Sequence, residues 1–340
     1  MSATIKINKT SAIRVINTNI TYDLPIFATE NYLKSKSNTY GWFVNNDFVL
    51  PFIIEKKMIF KRLIFTTETI YLNKELTVKE EKSFLNEMVV YCKKKNLCDF
   101  IYKAQANALF QTVPDESDAI EWGSYESKLD SNIEECFNSF RSKDRNTIRK
   151  ATKLGVEFKQ TQEIEKVYEN IRETFQRQNS LFYPDLAYLK KLEKNLQNNI
   201  AFFVVEEKNN IQGSAIIVYD KERAFYLYGG SSPRPLNGSL NLLHYKILDF
   251  CYQNNIKYYD LMGARLCVEK GSKFEAIQKF KSRFGKTLKR GYAFRVIIHP
   301  LKFKLFSLLA KSYFKLKGSQ YLDPIDSIRR CVEEQHSHNA

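Results

Sequence analysis

The sequence is short of the residues and patterns that identify most ligand sites at a glance. Its six cysteines, Cys92, Cys98, Cys136, Cys251, Cys267 and Cys331, are scattered. They form no C-x-x-C pair and have no histidine at ligand spacing, so neither a zinc site nor a disulfide framework is expected. No run of about 18 apolar residues occurs, and the N-terminal MSATIKINKTSAIRVINTN has no continuous apolar core. A membrane-spanning helix and a secretory leader are therefore not expected, and the chain reads as cytoplasmic. Neither G-x-G-x-x-G nor G-x-x-x-x-G-K-[ST] appears, which leaves Rossmann and P-loop phosphate sites unsupported. Acidic residues are missing from one long tract: Lys279 to Lys317 holds twelve Lys or Arg and no Asp or Glu.

That tract carries most of the chain's net charge of +15, from 53 basic and 38 acidic residues. A smaller basic cluster lies at Arg141 to Lys159. Such patches suit nucleotides, coenzyme A, RNA or an anionic membrane, and the competing reading is a solvated lysine-rich face. With 44% apolar and 14% aromatic residues over 340 positions, the chain is globular and long enough for two domains.

Residues 40 to 72 alternate as strands, with Asn45-Asn46-Asp47 as a hairpin turn. Thr77 to Lys95 is an amphipathic helix with Phe84, Leu85, Met88, Val89 and Cys92 on one face. Asp99 to Tyr102 is a short strand, and residues 1–125 read as one α/β unit. A helix over Ile133 to Ala151 opens with Ser131 and Glu134 as a capping box. On it Arg141, Arg145 and Arg149 recur every fourth residue and line one face, fit for an anion. Helices are expected over 163 to 199, interrupted at Tyr183-Pro184. Strands follow at Ile200 to Val205, Ile211 to Tyr219 and Ala224 to Tyr228. A polar turn over Gly229 to Ser239 then leads into a helix with Leu240, Leu243, Ile247, Phe250 and Cys251 on its buried face, and a strand at Lys257 to Leu261. This βαβ unit aims a helix N-terminus, a natural phosphate site, past the first strand. Most such helix starts bind nothing. Leu301 to Lys317 is a basic amphipathic helix, expected to pack across a domain surface, with an anionic membrane as the alternative.

Four motifs stand in order: S-x-x-R-x-x-I-R-K-A-x-K-x-G-V (Ser142 to Val156), F-Y-L-Y-G-G-S-S (Phe225 to Ser232), Y-D-L-M-G (Tyr259 to Gly263) and K-F-K-S-R-F-G (Lys279 to Gly285). With them the chain resembles the Fem-type aminoacyl and acyl transferases, a branch of the GNAT superfamily, over roughly residues 120 to 295. The resemblance implies an α/β (α+β) fold of two tandem GNAT-like domains, mixed central sheets flanked by helices. They are placed at 1–125 and 126–300, with a basic helix and polar tail at 301–340. It implies an acceptor amine in the cleft between the domains. It also implies a thioester or ester donor approached by the 229–239 turn and by Lys281, on a basic strand-loop. The coiled-coil hairpin of the staphylococcal-type members is missing between Leu154 and Ile200, which weakens the tRNA-dependent route.

Acyl transfer to an amine needs a proton acceptor, oxyanion donors and held substrates. His244, one turn into the central helix, is the candidate general base; its rival reading is a histidine packed among Leu240, Leu243 and Ile247. Asp260 is expected to orient His244 or act as base, against a turn-capping role. Ser232, Asn237, Gly238, Ser239, Lys281 and Arg283 are the expected donor contacts. Arg145, Arg149, Tyr183 and Tyr228 are those for the acceptor. No metal is expected. The favoured function is N-acylation of a nucleotide-linked amino sugar by an acyl-CoA, for a surface polysaccharide, with peripheral contact at the inner membrane surface. The alternatives are an aminoacyl-tRNA-dependent transferase extending a peptidoglycan precursor, and a non-catalytic RNA- or membrane-binding module.

Overall fold

The protein is described from a computed structural model covering residues 13–17, 22–73, 75, 77–130, 132–180 and 183–339. The first half contains β1 (Arg14–Ile16), α1 (Glu30–Lys36), β2 (Tyr40–Val44), β3 (Phe48–Lys57), β4 (Phe60–Phe65), β5 (Ile70–Tyr71), α2 (Val78–Lys94), β6 (Phe100–Ile101) and β7 (Asp118–Lys128). The Asn45 carboxamide accepts from the amides of Asp47 and Phe48 at 2.9 and 2.8 Å. This closes the expected hairpin and sets the register Val44↔Val49. Thr77 and Glu80 cap α2 reciprocally. Its Phe84, Leu85, Met88, Val89 and Cys92 are all buried, as their spacing predicts.

The second half runs α3 (Ile133–Asn138), α4 (Ser142–Lys153), β8 (Glu157–Gln160), α5 (Ile164–Arg177), α6 (Leu186–Leu196), β9 (Ile200–Glu207), β10 (Asn210–Tyr219), β11 (Arg223–Ser231), α7 (Ser239–Gln253), β12 (Tyr258–Asp260), β13 (Ala264–Arg265), α8 (Lys273–Phe284), β14 (Thr287–Ile297), α9 (Pro300–Leu316) and α10 (Pro324–Asn339). Three expectations change. The helix expected over 133 to 151 is broken into α3 and α4, because the Arg145 guanidinium donates to the carbonyls of Asn138 and Phe140 and closes an elbow there. Its N-cap is Asn132, accepting from the Glu135 amide at 2.9 Å, while Ser131 lies outside the described residues. The stretch from Lys279 to Gly285 is the end of α8, not a strand-loop.

The strands form one sheet, ordered β1-β2-β3-β4-β6-β14-β7-β12-β11-β10-β9-β8, with β5 beside β3 and β13 beside β7. The late strand β14 joins the halves. Its Thr287 to Arg295 pair with β7, and its last residues, Val296 and Ile297, pair with Ile101 and Phe100 of β6. On one face of the sheet, α1, α5 and α6 bury a core that includes Tyr32, Val167, Ile171, Leu189, Ile216 and Phe225. On the other face, α4 and α7 bury Ile148, Leu243, Ile247, Phe203 and Tyr259. Strand alternation decides which side each residue serves.

Cys267 and Cys331 form a disulfide across 64 residues of sequence, correcting the expectation of none. Scattered positions say nothing of spatial distance once α10 folds back against β7, where Ile325 and Ile328 pack on Ile120 and Trp122. Closing so long a loop predicts ~2–4 kcal/mol of stability. Cys331→Ser is therefore expected to unfold at lower urea than the oxidised wild type, and the two should coincide under reductant. Equal midpoints without reductant would show that the bridge is absent in solution.

Candidate active site

β11 and β12 run parallel and pair at Arg223↔Tyr258, Ala224↔Tyr259 and Phe225↔Asp260. Beyond these they part. β11 stays with β10 as far as Gly213↔Ser231. The chain after Asp260 turns to β7, where Leu261 donates to the Tyr125 carbonyl at 2.8 Å and Ala264 pairs with Gly123. A wedge opens between the two strands. Opposite Ile216 and Ile217, β11 carries one extra residue, Leu227. Without that bulge Tyr228 would share a face with Tyr226. With it, Leu227 and Tyr228 both face α5 and α6, and Tyr226 faces α7. Gly229 and Gly230, read as a turn, are strand residues. The Tyr226 ring fills the space of a side chain at 229, and the Asn170 backbone lies 2.8 Å from a Cβ at 230.

Asp260 secures the point of divergence. Its carboxylate accepts from Ser124 Oγ at 2.6 Å and from the Met262 amide at 2.7 Å. Burial pushes its pKa up, and these bonds and Arg223, 3.7 Å away, oppose that. Arg223 also pairs with Glu126, which holds Lys289 at 3.0 Å. This cluster was not visible in the sequence, since its members come from β7, β11, β12 and β14.

His244 does not meet Asp260. Asp260 and Tyr259 are neighbours on a strand and point to opposite faces, and His244 belongs with Tyr259, its Nδ1 2.8 Å from the phenol oxygen. The imidazole is 1% exposed and caged by Tyr226, Phe280 and Phe284 at 4.7, 5.1 and 4.9 Å. Burial, helped by the Lys281 charge, lowers its pKa to about 3. It is neutral, as its place near a helix start suggested, but a core histidine with no open path to a substrate amine.

Lys281, from the last turn of α8, reaches the wedge. Its ammonium donates to the carbonyls of Met262 and Gly263. Burial lowers its pKa to about 8, against the pull of Asp260. An ammonium has three donors, so one remains. Arg283 points away toward Asp144 of α4, at 3.9 Å. The hinge before α7 is only partly presented. Gly238 (φ 92°) packs on Thr147 of α4, whose carbonyl lies 2.1 Å from a Cβ built there, and Ser239 is buried with its hydroxyl bonded to the Leu236 carbonyl. The Ser232 hydroxyl is buried without a partner, and Ser232 borders a hollow shared with Glu165, Lys166, Glu169 and Glu173. Asn237 is exposed, together with Arg234, which the sequence reading passed over.

The acceptor candidates separate in the same way. Tyr183 and Tyr228 come together with Tyr188, Phe175, Glu55 and Lys36 around a groove of about 490 Å³ where α1 and β3 meet α6 and β11. Lys36 lies 4.9 Å from the centre of the Tyr188 ring. Burial raises the pKa of the Tyr188 hydroxyl to about 12, and the neighbouring hydroxyls of Tyr228 and Tyr32 oppose that rise. Arg145 and Arg149 are on the far side of the sheet, Arg145 tied into the α3–α4 elbow and Arg149 over Phe137 at 5.3 Å. Only the aromatic run Asn179 to Leu189 signalled the groove in the sequence; Lys36 and Glu55 carried no signal.

A neutral His244 has a measurable consequence. The unfolded imidazole titrates near 6.5, so the unfolded chain takes up a proton as pH falls while the folded one does not. Stability is complete above that pH and is lost on the way down to about 3, roughly 2 kcal/mol of it by pH 5. His244→Phe should flatten this part of the profile in urea titrations at pH 7.5 and 5. Identical pH slopes for the two proteins would contradict a buried neutral ring.

Residues 138–272 match the family model described as an acetyltransferase (GNAT) domain. No curated protein matches the sequence. Among solved structures, FemX aligns with a TM-score of 0.62 at 14% identity, over 82% of this chain and 94% of that one. A conserved protein of unknown function from Bacteroides thetaiotaomicron aligns at 0.50 and 13%, over 78% and 89%. A tandem GNAT protein from the clavulanic acid biosynthesis pathway aligns at 0.46 and 8%, over 77% and 84%. The wedge between β11 and β12 thus lies inside the stretch that matches the acetyltransferase (GNAT) domain model, and the fold of the chain is similar to that of FemX.

Proposed function

We propose that the chain moves an acyl group from a phosphate-bearing donor to an amine held in the tyrosine groove. The observation that carries this reading is the strand wedge, which holds an ammonium with a spare donor, in a molecule whose β11 also lines a groove of tyrosines flanked by Lys36. Met262, whose carbonyl seats Lys281, packs in the same cluster as Leu227 and Tyr228. The neutral amine nitrogen forms a bond to the donor carbonyl carbon and gives up one proton, the carbon–sulfur or carbon–oxygen bond breaks, and the leaving group takes up one proton, so that none is gained or lost overall. Lys281 is suited to steady the oxyanion or to supply that proton, its pKa having been brought toward neutrality. Asp260 acts as a positioning residue through the Met262 amide. Holding both substrates in line can supply roughly 7–11 kcal/mol of the barrier.

The favoured substrates are an acyl-CoA and a nucleotide-linked amino sugar. A base or sugar ring suits the faces of Tyr183, Tyr188 and Tyr228, and a phosphate suits Lys36. For the donor phosphates, Arg234 and the exposed hinge at Asn237 replace the covered Gly238 and Ser239. The second reading, an aminoacyl-tRNA donor for a peptidoglycan precursor, is favoured by the acid-free tract from Lys279 to Lys317.

Purified protein incubated with panels of acyl-CoAs and nucleotide amino sugars should release thiol and yield an acylated sugar by mass. Lys281→Ala is expected to lower kcat by roughly 10²–10³. Lys36→Ala and Tyr188→Phe should raise acceptor KM by about tenfold with little change in kcat. Turnover only with charged tRNA, with steep loss of binding as salt rises, would select the second donor. No turnover with either would leave a binding module, and full activity of the Lys281 variant would remove the proposed centre.

A further inference from the structure

α9 is buried along one side only. Phe303 and Phe306 pack on Phe100 and Phe60, with ring centroids 5.0–5.5 Å apart, and Phe314 turns in against Tyr321. At 3.6 residues per turn, Leu301, Leu305, Leu308, Leu309 and Leu316 fall on the opposite side. They are 84%, 41%, 61%, 39% and 86% exposed. A helix that served only to cover the core would carry polar residues there. Lys304, Lys311 and Lys315 run along one flank of this leucine face, and Lys317 closes its end. All four are exposed, and none makes an ion pair among the described residues.

A second element repeats the pattern. The contact of Phe60 with Phe306 sets the β3–β4 hairpin beside α9. The tip of that hairpin is Lys56-Lys57-Met58-Ile59, all exposed, with Met58 at 82% and Ile59 at 63%. At the C-terminal half of α9, Lys311 and Lys315 share a groove with Arg330 and Tyr321. Three cations thus converge beside the apolar face.

We propose that the outer face of α9 and the β3–β4 hairpin tip dock the protein on an anionic phospholipid bilayer. The leucines, Met58 and Ile59 enter the headgroup boundary, and the lysines with Arg330 hold lipid phosphates. Lysines alone would serve RNA, but RNA gives exposed leucines nothing to enter. A second copy pairing through the same face would bring like charges together. No helix among the described residues is long and apolar enough to cross a membrane, so the contact is peripheral. This inference does not depend on the acyl-transfer reading.

The test is sedimentation of the full chain with phosphatidylcholine vesicles, with and without about 30% phosphatidylglycerol. The wild type should partition at least about tenfold better onto the anionic vesicles, and less well as salt rises from about 0.1 to 0.5 M. The double variant Leu305→Glu with Leu308→Glu should lose about tenfold of that partition while its melting curve is unchanged, both residues being exposed. Lys304→Glu with Lys311→Glu should abolish the preference for the anionic lipid. Wild-type protein that ignores the anionic vesicles overturns the proposal. So does a leucine variant that binds them equally, since that assigns the face to a soluble polyanion. A concentration-dependent dimer, lost in the leucine variant without any vesicle binding, assigns it to a second copy instead.

Discussion

Two parallel strands that stay paired for three residues and then follow different neighbours are the constraint on which the site depends. β11 is held by β10 and the continuation of β12 by β7, so their ends cannot close on each other. The exposed backbone at such a parting needs partners. Asp260 supplies one to the Met262 amide, and Lys281 supplies them to the Met262 and Gly263 carbonyls. The same groups that satisfy the backbone therefore place a carboxylate and an ammonium at the mouth of the wedge. The bulge at Leu227 adds the third part by turning Tyr228 toward the groove.

The sheet is also a partition. Every residue of β11 and β12 serves one face or the other, and side chains adjacent in sequence can be chemically out of reach. His244 shares an aromatic cage with Tyr259, Phe280 and Phe284, where burial outweighs any other influence on its charge. Asp260, one residue from Tyr259, works on the other side with Ser124 and Arg223. Arg145 and Arg149 are separated from Tyr183 and Tyr228 for the same reason.

Nine of the twelve cations in the tract from Lys279 to Lys317 fall into two populations. Lys281, Arg283, Lys289, Arg295 and Lys302 are each spoken for, by carbonyls or by Asp144, Glu126, Asp118 and Asp99. They hold α8, β14 and α9 in place. Lys304, Lys311, Lys315 and Lys317 are turned to solvent along α9 beside exposed leucines. Charge in a sequence is a sum, and a fold divides it into structural and free parts.

Local chemistry was legible from the sequence alone. The Asn45 hairpin, the buried stripe of α2, the meander β9–β10–β11 and the βαβ unit through α7 are set by short-range turn residues and apolar spacing. Three of the four motifs lie in the stretch that matches the acetyltransferase (GNAT) domain model. Tertiary structure alone decided which residues meet. The α3–α4 break came from a side chain reaching back to carbonyls, and the 267–331 disulfide from a helix folding home. The tyrosine groove depends on Lys36 and Glu55 arriving from the other half, and Tyr228 faces it only through a bulge in its strand. The physical reason is that turns and periodicity act over a few residues, whereas burial, sheet face and pairing partner depend on segments far away in the chain.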